Sequence, residues 1–221
     1  LVEKPLSTTA SGIEPLLHQV CTHNLILQVG YNLRFLPSLE QFRERIRVGA
    51  IGRVLSVRCE IGQYLPSWRP DADYRQGVSA RRELGGGVLL ELSHELDYLR
   101  WIFGEVAWVN AWMGQQSALE INVEDTAQLT LGFAPDALGF ATVGALSLDF
   151  IRHDTTRLCT AIGESGSLRW NGLTGDVEEC LAGNSKWRQV FHHAHQRDDS
   201  YRAQWQHFLT CVQTGTAPRV S

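Results

Sequence analysis

Two spacings of apolar residues run through the chain, one of three to four positions and one of two, and they divide it into helical and extended stretches. Ile13, Leu16, Leu17 and Val20 recur at helical intervals and predict a helix over about 7–22, with Pro15 near its start. The opening LVEKPLS reads as a strand end entering a turn, because Pro5 holds Lys4 extended. LILQVGYNLRF is nearly continuous in apolar residues, as a buried parallel strand is. Residues 1–31 therefore read strand, helix, strand. Leu39, Phe42, Ile46 and Val48 predict a second helix that starts at Pro37 and stops at Gly49 and Gly52. RVLSVRCEIGQYL alternates like a strand, and the polar run over 66–87 has the length of a lid or a disordered loop. Val88, Leu92, Leu96, Leu99 and Phe103 form one stripe and predict a continuous helix over 88–103. Strands are expected at 106–113, 126–133, 139–147 and 156–162, with shorter ones at 167–170 and 187–191, and a last helix at about 200–213. This order defines an α+β (α/β) class with a mostly antiparallel sheet.

Composition narrows the function without naming it. The chain has 221 residues, enough for one large domain or one and a half, with 43% hydrophobic and 20% charged residues. A formal net charge of −4 gives no drive toward nucleic acid or an anionic membrane, so neither is expected as a partner. No apolar run approaches the ~20 residues of a membrane span, and no signal peptide is read at the start. Five dispersed cysteines without CxxC spacing suit reduced thiols and a cytoplasmic location. Of the 20 basic residues only Lys4 and Lys186 are lysines, so Lys4 is a candidate for chemistry that arginine cannot do.

The densest candidate chemistry lies in ELGGGVLLELSHELDYLRW, residues 83–101. On a helix Glu91, His94 and Tyr98 share one side, and a neutral imidazole there makes a general base. Gly85, Gly86 and Gly87 are expected to leave room for a ligand, and the helix start to favour developing negative charge. Asn32 and Arg34 follow the second strand and are candidate substrate contacts, as are Tyr74 and Arg75 in the long loop. His192, His193 and His195 lack H-x-x-x-H spacing and a partner carboxylate, so they read as a polar loop and no metal is expected.

EKP at a strand end, then VGYNLRFLPSLEQFRERIRVGAIGRVLSV, then GGGVLLELSHELDYLRWIFGEV, together resemble the Gfo/Idh/MocA family of sugar dehydrogenases, over essentially the whole chain. The resemblance implies a Rossmann dinucleotide-binding domain followed by an α/β domain whose open sheet, with helices on one face, builds dimers and tetramers. It implies that Lys4 contacts the reacting hydroxyl and the cofactor, with Glu3 and Pro5 beside the cofactor. His94 would take the proton and would also contact substrate. Glu91 would stand for the family's second acid, which is more commonly an Asp four residues before the histidine; a spacing of three turns it by about 100°. No G-x-G-x-x-G turn is present, so residues 1–31 are expected to be a remnant of the dinucleotide domain and 32–221 a substrate-binding and oligomerisation domain. The function so implied is NAD(P)-dependent hydride transfer, with NAD or NADP as cofactor, at a hydroxyl or carbonyl of a sugar, nucleotide-sugar or cyclitol. Without its cofactor half the isolated chain is expected to be inactive. A non-catalytic sugar-binding or oligomer-scaffold module is the other reading. Lys4 and His94 are expected to face one cleft. A homodimer or homotetramer is expected through a sheet face carrying Trp108, Trp112, Phe133, Phe140, Leu146 and Leu148.

Overall fold

The computed structural model describes residues 1–220. In chain order its elements are α1 (Ile13–Thr22), α2 (Pro37–Arg47), β1 (Val54–Gly62), α3 (Val88–Glu91), α4 (His94–Phe103), β2 (Val106–Gly114), β3 (Thr126–Phe133), β4 (Val143–Asp149), β5 (Thr156–Gly163), β6 (Gly166–Asn171), β7 (Asp176–Leu181), β8 (Arg188–His192) and α5 (Asp199–Thr214). They divide into two units, one of Leu1–Leu36 with the segment from Gln196 onward, the other of Pro37–His195.

The larger unit is built on one eight-stranded sheet in the order β2-β3-β4-β1-β5-β6-β7-β8. Only β1 and β4 run parallel; every other neighbouring pair is antiparallel, as the short strands and tight turns of the sequence require. Register fixes which side chains share a face, because directly paired residues point the same way. The row Leu129, Leu146, Cys59, Cys159, Trp170, Val177 runs across six strands and is buried throughout. The row beside it, Asn110, Thr130, Ala145 and Arg58, is exposed. Helix α2 packs on β6, β7 and β8, and α3 on β3 and β4.

Four expectations change here. The sheet face expected to be apolar is mostly polar: Phe133, Leu146 and Leu148 are buried, and Trp108 and Trp112 on edge strand β2, with Val143 on β4, are the large apolar groups exposed on the open side. Phe140 lies in the turn before β4, with the Arg53 guanidinium 3.8 Å from its ring centre. Strand β7 was not legible, because DVEECL carries three acids in six residues and hides its alternation. The polar run over 66–87 is ordered as short 3-10 turns, and the helix expected over 88–103 is broken at Leu92 and Ser93.

The smaller unit keeps the expected order, with strand pairing reduced to one parallel bridge between Val2 and Val29. Gly30 permits this approach: a Cβ there would lie 3.1 Å from the Val2 carbonyl oxygen. Val29, Phe35 and Val220 form its buried cluster, with Leu6 and Tyr31 against it. Among the described residues no helix is long and apolar enough to cross a membrane.

Candidate functional site

The three glycines before α3 serve the backbone. Gly85 and Gly87 have φ of 82° and 110°, a region costly for any side chain. A Cβ on Gly86 would run into the carbonyls of Val78 and Arg81, and one on Gly87 into the Glu124 carboxylate. That carboxylate holds the helix start: Glu124 Oε1 accepts from Leu89 N at 3.2 Å, and its carbonyl from Val88 N at 3.1 Å. The first orphan N–H groups of α3 are thus satisfied from within the protein. The expected open, anion-ready helix start is a capped one, and the room over the glycines is filled by neighbouring backbone.

His94 is the first residue of α4 and is half-buried. Glu91, also half-buried, is the last residue of α3, so the break at Leu92–Ser93 separates the two, and a shared helical face no longer relates them. Tyr98, expected beside them, is fully buried against the sheet.

Tyr74 and Arg75 open a 3-10 turn in the long loop. Tyr74 Oη accepts from Glu120 N at 3.2 Å, and Arg75 lies between Asp73 at 2.8 Å and Glu120 at 2.7 Å. Side-chain and backbone hydrogen bonds from Arg75 hold the Asp73 carboxyl down at about 2, and the two carboxylates push Arg75 further up. Arg82 N donates to Asn122 Oδ1 at 2.7 Å, a second tie between the two loops. Tyr74 and Arg75, the expected substrate contacts, also pin the 3-10 turns to the loop before β3.

Glu3, Lys4, Pro5, Asn32 and Arg34 belong to the smaller unit. Lys4 N donates to Glu3 Oε2 at 3.3 Å, the Lys4 side chain is half-buried, and the Lys4–Pro5 peptide is cis. Asn32 is buried and donates to Ser200 Oγ at 2.8 Å at the start of α5. Arg34 and Arg219 each donate to the other's carbonyl, at 3.1 and 2.8 Å. Asn32 and Arg34 therefore tie the segment after Val29 to the C-terminal helix and the tail beyond it.

Sequence reasoning missed two groups. Glu124 carried no local signal, since its partner is 35 positions away. Glu95 did: it falls on the apolar stripe between Leu92 and Leu99, where a charge needs a partner, and Arg157 supplies it at 2.9 Å. Among the described residues no cluster of three or more His, Cys, Asp or Glu could hold a metal. Of the HHAH histidines, read as a polar loop without a partner carboxylate, His192 instead ends β8 and pairs with Asp176 at 2.7 Å.

The larger unit is an open, largely antiparallel sheet packed by helices, and His94 heads α4, just beyond the break that ends α3 behind the glycine turn. The model of the GFO/IDH/MocA C-terminal domain matches residues 39–169, more than half the chain, and the chain belongs to that family. A myo-inositol 2-dehydrogenase from Thermotoga maritima is 24% identical over 99% of this chain and 64% of its own length. A levoglucosan dehydrogenase from Pseudarthrobacter phenanthrenivorans is 32% identical over 50% of this chain and 28% of its own. The solved structure of a levoglucosan dehydrogenase in complex with NADH superimposes with a TM-score of 0.82 at 20% identity, over 99% of this chain and 65% of that one, a likeness of fold. The chain thus spans less than two thirds of the length of these relatives.

Proposed function

We propose that this chain is the substrate-handling part of an NAD(P)-dependent oxidoreductase acting on a hydroxyl or carbonyl of a sugar, nucleotide-sugar or cyclitol. The observation that carries the reading is His94: a half-buried imidazole at the first residue of a helix packed on the sheet, in a chain of this family. In the oxidative direction the His94 imidazole is assigned the carbinol proton; Lys4 is assigned, on its own unit, the donation to a developing oxyanion that the family resemblance implies. Glu91, on its separate helical turn, is assigned to substrate hydroxyls near the imidazole, with Glu3 and Pro5 flanking Lys4. Relatives known as inositol and levoglucosan dehydrogenases support a polyhydroxylated ring as substrate.

The start of α3 is not the dinucleotide's cradle. Its pyrophosphate calls for backbone N–H groups at a Gly-rich turn opening a helix. The one helix behind a glycine run, α3, has its start taken by Glu124, so the chemistry assigned to this chain is the proton and oxyanion side alone. The chain by itself is expected to bind NAD(H) and NADP(H) more weakly than about 10 μM, ~7 kcal/mol, by titration calorimetry. Tighter binding would contradict this assignment. For the gene product that contains the chain, a panel of cyclitols, anhydrosugars and nucleotide-sugars, offered with NAD or NADP, tests the function. Turnover of a ring hydroxyl supports it, whereas binding of a sugar without turnover selects the non-catalytic module.

We also assign the open sheet face, with Trp108 and Trp112 at its edge, to contact between two copies of the chain in the cytoplasm. The polar face itself can stand in water; what supports the contact is the exposed apolar surface of Trp108, Trp112 and Val143 on it.

A further inference from the structure

Glu95 is the second residue of α4, and its side chain has no exposed surface. Its Oε1 accepts from Arg157 Nε on β5 at 2.9 Å. The stem of Arg157 reaches there across Gly172, where a Cβ would lie 2.6 Å from Arg157 Cδ. The sequence thus places its smallest residue where the guanidinium must pass. One helical turn after Glu95, the Tyr98 hydroxyl shares a 2.9 Å hydrogen bond with the Cys59 thiol of β1. Burial pushes both of these groups up, so both keep their protons at neutral pH. The Tyr98 ring stands edge-on to Trp170 of β6, with centres 5.4 Å apart, and Trp170 Nε1 donates to Ser38 Oγ of α2 at 3.0 Å.

Positions 95 and 98 lie on the same helix face, so α4 is tied to β1 and β5 at two points one turn apart. One tie would leave the helix free to roll about its axis; two on different strands fix the roll. His94 stands one residue before Glu95, about 100° around the helix, so the roll decides where the imidazole points. A buried carboxylate–guanidinium pair adds little stability over an apolar pair of similar volume, because desolvation offsets the attraction. Its value at this place is directional.

We propose that Glu95 and Arg157, together with Tyr98, are positioning residues that aim His94. The proposal rests on the reading of His94 as the proton acceptor, and it concerns residues of the larger unit alone. Its test follows the His94 imidazole Cε1–H resonance by NMR on this chain, assigned with His94→Gln. In Glu95→Gln, and in the charge-neutral Tyr98→Phe, the resonance should move or split while the sheet stays folded. Glu179→Gln breaks a different buried ion pair, between β7 and Arg45, and should lower the melting temperature without moving the His94 signal. In the full gene product Glu95→Gln should lower kcat about tenfold with KM within about twofold, the mark of lost orientation. A His94 resonance unmoved in both variants, with only the melting temperature lowered, would reduce the pair to structural residues and overturn the proposal. Full activity in His94→Gln would instead remove the proton-acceptor reading, and the resonance comparison would still decide whether Glu95 aims the ring.

Discussion

Asp125 sits with no exposed surface just ahead of β3 and accepts from Gln116 N, Ser117 N and Ser117 Oγ at 2.9, 2.9 and 2.6 Å, and from Thr126 Oγ1 at 3.0 Å. Burial pushes its carboxyl up, but these donors outweigh burial and the net shift is downward. Because the folded group is the stronger acid, its contribution is present above the unfolded value of about 4 and is lost as pH falls through the folded one. Asp125→Asn should therefore destabilise by ~1–3 kcal/mol at pH 7, with the gap to wild type narrowing in thermal melts as pH falls below the unfolded value. A gap unchanged with pH would contradict this account. At this scale the sequence drew attention to residue types that carry their own chemistry, and the roles proposed for His94 and Lys4 rest on that. It was silent where function comes from a distant partner: Glu124 closes the start of α3 and Asp125 gathers its own loop, and neither pairing leaves a periodic trace.

Helices and strands with clean apolar periodicity were read correctly. Helix α2 over Pro37–Arg47 and strand β3 over Thr126–Phe133 match their patterns closely. The stripe Val88 to Phe103 was real as a buried surface yet wrong as one helix, since Leu92 and Ser93 form a turn that periodicity cannot distinguish from a continuing helix. Faces of strands were the harder matter. Leu146 and Ala145 are neighbours in β4, and register alone decides that Leu146 is 1% exposed while Ala145 faces outward. Leu146→Arg should consequently unfold the larger unit, a buried charge costing several kcal/mol, whereas Ala145→Arg should leave it folded, with circular dichroism nearly unchanged.

For the whole molecule, the same pair of substitutions tests assembly. Light scattering should give a mass near twice 24.8 kDa for the wild-type chain, and Ala145→Arg should return it to one copy. A wild-type mass of one copy at micromolar concentration would contradict the sheet-face contact. The family and the open sheet were legible from three motifs taken together, because their order along the chain is itself a constraint. What the motifs could not convey is that the glycine turn supports backbone, that the helix behind it is broken, and that its second segment is fixed in roll by Glu95 and Tyr98. All of this converges on one imidazole. The most direct measurement is kcat for oxidation of a ring hydroxyl by the full gene product, wild type against His94→Gln. The account predicts a loss of about 10²–10⁴ in kcat with KM nearly unchanged; a variant within about threefold of wild type would contradict it.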